Sequence, residues 1–439
     1  MKTLLLPLAL LLKMLPSRIA RLILASAAHN AEAPSIQKRQ LLVDISVIYR
    51  TDARTGIQRV VRSLLLQLVE NPPSGYDVRP IYATVKHKYC YANSNIFDPS
   101  WKVESSNLNY VSAQAGDLFL ALDLAAHLIP RHHVQILNWK LSGVKIHVVV
   151  YDLLPLQYPE WFNEKTTQNF KRWIRWVATY ADGAICISNS VKNELSTWLN
   201  LQHGSLLSNL HTSTIVLGAD IAASAPSSGL PSTAHSLIER MSKIPSVLMV
   251  GTIEPRKGYE HALRAFEQLW SQQAEGPLLV IVGRPGWKTD TLQHKLRTHP
   301  QSGKNLFWLE DASDEFLSCL YVACKGILAA SLAEGFGLPL IEALTHNKQV
   351  LARDLPVFRE LASPGITFFS CTSECSLSII ISNWLENMHY GETMCNISQN
   401  CQEKHNWPCA AQQLLLSLGL PAKPHQDMNI CDAGSPIAT

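Results

Sequence analysis

The chain has 439 residues, 47% of them hydrophobic, with a formal net charge of +3 and an isoelectric point near 8.3. That length is long for one core, so two domains are expected, with enough apolar content to fill both. The near balance of charge, without a zinc-knuckle, basic-region or recognition-helix pattern, argues against nucleic acid as a partner. Six of the ten cysteines follow residue 370 and none forms a Cys-x-x-Cys pair. Reduced thiols are therefore expected, rather than a metal site or a disulfide scaffold.

At the start, Lys2 and the apolar run Leu4 to Leu12 look like a signal peptide, but Lys13, Arg18 and Arg21 stand where a cleavage region is uncharged. The run is also too short to span a bilayer. Met14, Leu15, Ile19, Leu22 and Ile23 recur at roughly helical spacing among these cations. Residues 1–40 are expected to form an apolar and basic helical segment, lying on an anionic membrane surface or packed on the protein body.

A strand-like run, Leu41 to Ile48, and a loop, Arg50 to Gly56, lead to a helix whose Ile57, Val60, Val61, Leu64, Leu65 and Leu68 share one face. Gly56 opens that helix, where backbone amides can face an anion across a cleft. Arg50, Arg54 and Arg59 surround it, either to meet such a ligand or to pair with Asp44 and Asp52. Further short apolar runs follow at Asp117–Leu122, Lys145–Tyr151, Gly183–Ile187, Ser213–Leu217, Ser246–Val250, Leu278–Val282, Gly326–Ala330 and Gln349–Ala352. Helical patterns lie between many of them, as in parallel sheets covered on both faces, so the class is α/β.

Phe170 to Tyr180 sets Lys171, Arg172 and Arg175 among Trp173, Trp176 and Val177, which suits a membrane-interface helix or one packed by its aromatic side. Ala222 to Ser236 reads as a loop. The expected division is 41–210 for a first Rossmann-like domain, 211–400 for a second, 401–420 for a closing helix and 421–439 for a disordered tail. Strand C-terminal ends would line the cleft between the domains.

Two segments at such ends carry the chemistry. Gly251-Thr252-Ile253-Glu254-Pro255-Arg256-Lys257-Gly258 follows one strand, and adjacent cations facing a cleft repel unless an anion neutralises them. A diphosphate suits them, Arg offering a fork of donors and Lys a point charge. In Leu332 to Leu344, Glu334 and Glu342 bracket Gly335-Phe336-Gly337-Leu338, a turn that opens a helix and can present N–H groups to phosphate. Glu342 lies about two turns inside the helix, so the two carboxylates can reach different ends of one ligand.

With Val282 to Trp287, Leu309 to Asp314, Arg353 to Glu360, Tyr151 to Pro155 and Thr55 to Arg59, these segments resemble the retaining glycosyltransferases of family 4. The likeness extends over roughly residues 41–420 and points to the branch of bacterial mannosyltransferases of surface-polysaccharide assembly. It implies the GT-B fold: two Rossmann-like domains facing across a cleft, with a closing C-terminal helix. It also implies that Arg256 and Lys257 hold a donor diphosphate, that Glu334 lies near the transferred sugar and that Glu342 lies near the ribose.

Gly56, Tyr151, Gly251, Gly335, Phe336, Gly337 and Leu338 would complete the substrate site. Many family members carry His before Asp152, where this chain has Tyr151, a poorer base at neutral pH but still a hydrogen-bond donor to a sugar. Asp152 would orient substrate or cap its loop. The co-substrate implied is a nucleotide-diphosphate sugar, GDP-mannose first, with no cofactor and no obligatory metal, since no Asp-x-Asp element is present. The acceptor implied is a lipid-linked sugar or polysaccharide, and the setting is cytoplasmic, with or without peripheral contact to the inner membrane. A GT-B nucleotide-sugar epimerase and a catalytically idle glycan- or partner-binding GT-B domain remain as alternatives.

Overall fold

A computed structural model describes residues 38–92, 108–203, 210–272, 276–370, 373–388 and 392–421. The expected N-terminal helical segment and C-terminal tail lie outside these residues but for their inner edges.

The first sheet holds β1 (Arg39–Asp44), β2 (Tyr76–Tyr82), β3 (Cys90–Tyr91), β4 (Leu118–Ala121), β5 (Lys145–Val150), β6 (Gly183–Cys186) and β7 (His211–Thr214), in the order β3-β2-β1-β4-β5-β6-β7. Only the β2–β3 pairing is antiparallel. The second sheet holds β8 (Ser246–Val250), β9 (Leu278–Val282), β10 (Leu306–Leu309), β11 (Gly326–Ala329), β12 (Gln349–Arg353) and β13 (Ile366–Phe369), in the order β10-β9-β8-β11-β12-β13. All its pairings are parallel. This is the dinucleotide-fold order, which reverses beside β8, and ligands bind outside the strand C-termini at such a reversal. The first sheet reverses in the same way beside β1.

Helices on the first sheet are α1 (Gly56–Glu70), α2 (His133–Leu141), α3 (Leu154–Gln157), α4 (Glu164–Tyr180) and α5 (Asn189–His203). Those that follow β7 begin with α6 (Ala234–Lys243), α7 (Tyr259–Gln272), α8 (Asp290–Thr298), α9 (Asp314–Ala323) and α10 (Leu338–Thr345). The chain ends through α11 (Pro356–Arg359), α12 (Glu374–Glu386), α13 (Glu392–Lys404) and α14 (Trp407–Ser417).

Local chemistry explains where these elements start. Thr55 Oγ1 accepts from the Gln58 amide while Gln58 Oε1 accepts from the Thr55 amide, a reciprocal cap that opens α1 next to the cleft. Behind it Val60, Val61, Leu64, Leu65 and Leu68 are buried, each contributing about 1.5–3 kcal/mol. Every residue of β9 is buried, as expected of a strand covered on both faces.

Two expectations need correction, and one open alternative is decided. The boundary at 210/211 falls one strand early: β7 pairs in parallel with β6 and completes the first sheet, so the crossing follows it. The closing helix is α14 alone, begun at Trp407 by Asn406, whose Oδ1 accepts from the Cys409 amide. It packs on α1 of the first domain, while the preceding α13 packs on α10 of the second. Of the two alternatives for Phe170 to Tyr180, packing by the aromatic side holds: Trp173 and Trp176 are buried, while Lys171, Arg172 and Arg175 are exposed.

Among the described residues, Cys90, Cys186, Cys319, Cys324, Cys395 and Cys401 are free thiols. Among the described residues no helix is long and apolar enough to cross a membrane.

Candidate active site

Between the domains lies a cleft of about 1230 Å³ lined from both sides. Its floor on the second domain is the β8–α7 turn. Gly251 leaves the strand with φ +140, and its carbonyl accepts from the Tyr259 hydroxyl at 2.5 Å. Gly258 closes the turn with φ +69, and a Cβ there would stand 2.2 Å from the Ala330 carbonyl oxygen. Only glycine fits, and this fixes the direction of Arg256 and Lys257 just before it.

Opposite, the β11–α10 turn delivers Glu334. Its Oε2 accepts from Arg256 Nη1 at 2.5 Å, and its Oε1 accepts from Lys257 Nζ at 2.5 Å and Ser331 Oγ at 2.8 Å. Arg256 Nε donates to Glu254 at 2.7 Å. The counter-ions that the sequence assigned to a diphosphate are thus partly supplied by Glu334 and Glu254. Burial works against ionisation of Glu334, but Arg256 and Lys257 outweigh it and hold the carboxyl down at about 2. Arg256 is likewise held above its ordinary value, Glu334 and Glu254 outweighing the cost of burial. Glu334, Arg256 and Lys257 all line the cleft.

Gly335 continues the turn against the first domain. A Cβ at this position would lie 2.0 Å from the Tyr151 carbonyl oxygen, and the Gly335 carbonyl accepts from Ser188 Oγ at 2.8 Å. Phe336 is buried and meets His405 edge-on at the domain crossing. Gly337, at φ +116, precedes α10, and Leu338 begins it, 3.7 Å from where a Gly56 Cβ would be. Leu338 of the second domain thus lies against Gly56 of the first.

Asp152 follows β5 and accepts from the Leu154 amide at 3.1 Å. Burial raises its carboxyl above the usual range, with Arg256 pulling the other way. Asp152 thus caps its own loop, next to Arg256. Tyr151 departs from expectation: its ring is buried and its hydroxyl donates to the Leu122 carbonyl at 2.8 Å. Its backbone, rather than its phenol, is the part that meets the opposing turn.

A second charge cluster spans the cleft. Arg59 donates from Nη2 to Asp314 at 2.8 Å and from Nη1 to Glu342, whose other oxygen accepts from the Tyr321 hydroxyl at 2.7 Å. Arg54 joins at Asp314, 3.1 Å away. Burial disfavours the Arg59 charge, yet Glu342 and Asp314 raise its affinity for the proton. Asp314 is held low, the Ser227 amide and Arg59 outweighing burial.

The expected acid partners do not hold for Arg59. Asp52 pairs with Arg62 instead, and Asp44 is bonded to Ser46 and Tyr89. Asp314 and Tyr321 were missed as site residues. A lone Asp at a helix start and a lone Tyr inside a helix give no signal until the fold brings Arg59 to them. Among the described residues no group of three or more His, Cys, Asp or Glu is arranged to hold a metal ion.

Residues 238–404 match the family described as Glycosyl transferases group 1. The serotype-specific mannosyltransferase WbdA of Escherichia coli is 42% identical over 349 residues, 79% of this chain and 43% of that protein. The chain therefore spans less than half the length of WbdA. The O-antigen chain mannosyltransferase RfbU of Salmonella typhimurium is 24% identical over 236 residues, 54% of this chain and 60% of RfbU.

Among solved structures, sucrose-phosphate synthase of Thermosynechococcus elongatus superposes with a TM-score of 0.61 at 18% identity, over 87% of this chain and 98% of that one. Anabaena HepE in complex with UDP-glucose gives a TM-score of 0.59 at 16% identity, over 87% and 99%. At these identities the likeness speaks for the fold. The chain has the GT-B architecture, and its residues 238–404 are similar to the glycosyl transferases group 1 family.

Proposed function

We propose that this chain is a retaining glycosyltransferase that moves a sugar, mannose from GDP-mannose as the first candidate, from a nucleotide-diphosphate sugar to a lipid-linked or polysaccharide acceptor in surface-glycan synthesis. The observation that carries the reading is the grip of Arg256 and Lys257 on Glu334 at the C-terminal end of β8, on the floor of the interdomain cleft. The relatives' names, a serotype-specific and an O-antigen chain mannosyltransferase, support mannose.

In this reading Arg256 and Lys257 bind the diphosphate and neutralise the charge that grows on it as the sugar–phosphate bond breaks, the main catalytic contribution. Two of the three Lys257 N–H bonds remain for phosphate oxygens, since one goes to Glu334. Glu334, ionised throughout the neutral range, sits beside the sugar and favours positive charge at its anomeric carbon. Glu342 meets the ribose, which requires it to share or release Arg59. Asp152 orients the reacting sugar from the first domain.

With two cations in place, no obligatory metal is assigned, and chelation with EDTA is expected to leave the rate unchanged. Incubation with a panel of nucleotide sugars tests the function: release of nucleotide from one donor, faster with a mannose-containing acceptor and with the anomeric configuration kept, is expected. Release from none would overturn it.

Peripheral contact with an anionic membrane belongs to the same proposal. The exposed Lys171, Arg172 and Arg175 of α4 support it. Flotation of the intact chain with anionic vesicles is the test, and absence of binding would remove this part.

A further inference from the structure

One end of the cleft is spanned by a pair of hydrogen bonds between the domains. Trp287 Nε1 donates to the Trp161 carbonyl at 2.8 Å, and Lys288 Nζ donates to the Glu160 carbonyl at 2.7 Å. Lys288 holds φ +56, an uncommon conformation for a residue with a Cβ, and one that persists where its surroundings over-determine it.

The loop carrying Trp287 is tied to the cation-bearing turn as well. The Ile253 amide donates to the Arg284 carbonyl at 2.9 Å, and Thr289 Oγ1 donates to the Ile253 carbonyl at 2.8 Å. Trp287 is thus anchored between the Arg256–Lys257 turn and the first domain.

Its ring has an aromatic neighbour. Phe162 lies 6.0 Å away, tilted by 36°, and Tyr158 stacks on Trp161 at 4.1 Å. Trp287 keeps 37% of its surface exposed and lines the cleft together with Asn163, Thr166 and Asn169. An indole face opening on a cleft that also carries amide and hydroxyl groups suits a ligand with an apolar face and a hydroxylated edge. A pyranose ring has that shape. The cleft, at about 1230 Å³, is also larger than the roughly 300–1,000 Å³ typical of a single small-ligand site.

We propose that Trp287, with Asn163, Thr166 and Asn169, forms a pyranose-binding subsite that receives the terminal sugar of the acceptor glycan. The inference rests on the transferase reading for the identity of its ligand, and on the Trp287 geometry for its place.

The test is a ligand-observed NMR titration of the intact chain with mannotriose in the presence of GDP. Wild type is expected to bind, and Trp287→Ala to lose about tenfold or more in affinity, the scale of one lost stacking contact. Trp287→Phe, which keeps an aromatic face, and Lys288→Ala, which loosens the clasp and leaves the ring, are expected to bind within about threefold of wild type. No mannotriose binding by wild type, unchanged binding by Trp287→Ala, or a loss in Lys288→Ala or Trp287→Phe as large as in Trp287→Ala would overturn the subsite. A parallel GDP titration of wild type and Lys257→Ala reads the donor site separately. Failure there with mannotriose binding intact would count against the transferase reading and not against the subsite.

Discussion

Arg59 on α1 and Glu342 on α10 form an ion pair across the cleft although 283 positions separate them. Glu342 is 1% exposed and takes Arg59 of the opposing domain as its cation, while Asp314 shares Arg59 and also has Arg54. Removing one partner leaves a buried charge unpaired, which costs about 3–5 kcal/mol. Arg59→Ala is therefore expected to destabilise the intact chain strongly in denaturant titrations. A double-mutant cycle with Glu342→Gln should return a coupling of about 1 kcal/mol or more, and additivity would contradict a direct bond.

Gly335 gives a second expectation. Because its missing Cβ would stand 2.0 Å from the Tyr151 carbonyl, Gly335→Ala must push the two turns apart. Overpacking of this kind costs about 1–3 kcal/mol. Transfer should fall more than the far-ultraviolet signal, since each sheet keeps its own core while Glu334 loses its register with the first domain. An alanine variant with full activity would show that this contact is not needed.

Much of this arrangement was open to reading in the sequence, and the remainder had physical reasons to stay hidden. β8 and β9 are continuous apolar runs, buried at nearly every position, and their ends carry the cations, so the strand–turn–helix order was legible. β2 was not, because Asp77, Arg79 and Pro80 break its apolar pattern while its partners β1 and β3 still hold it. β10 and β13 are four-residue edge strands whose pattern is too short to stand out. Arg256, Lys257 and Glu334 were legible because each follows a strand end. The bond from Arg59 to Glu342 was not, since no local spacing links α1 to α10.

Stability should also depend on pH through two carboxyls of the first domain. Asp44 is raised to about 6, by burial first and against the bonds from Ser46 and Tyr89. Asp123 is raised to about 7, by burial first, while its bonds from the Ile48 and Val47 amides oppose the shift. In the unfolded chain both titrate near 3.9, so between about pH 4 and pH 7 the folded state binds more protons. Their contribution to stability is fullest below about pH 4 and is lost as pH rises through 6 and 7. Asp123→Asn should flatten this slope in melts taken across that window. A slope unchanged by the substitution would assign it to other groups.

Glu334 acts with the opposite sign. Its carboxyl is held at about 2, so its contribution is present above the unfolded value near 4.3 and is lost as pH falls from there toward 2. Glu334→Gln should remove that acid-side loss while leaving the pH 4 to 7 slope in place. An acid-side loss that persists in the variant would show that the Arg256–Lys257 grip does not set it.

The central claim is that Arg256 and Lys257 bind the diphosphate of a nucleotide donor, and calorimetric titration of the intact chain with GDP, beside Lys257→Ala and Glu342→Ala, tests it most directly. Losing a hydrogen bond to a charged group costs about 1.5–3 kcal/mol, so the lysine variant should bind at least about tenfold more weakly than wild type. A smaller loss is expected for Glu342→Ala, where the ribose contact is removed. No GDP binding by wild type, or binding equal in all three proteins, would contradict the account.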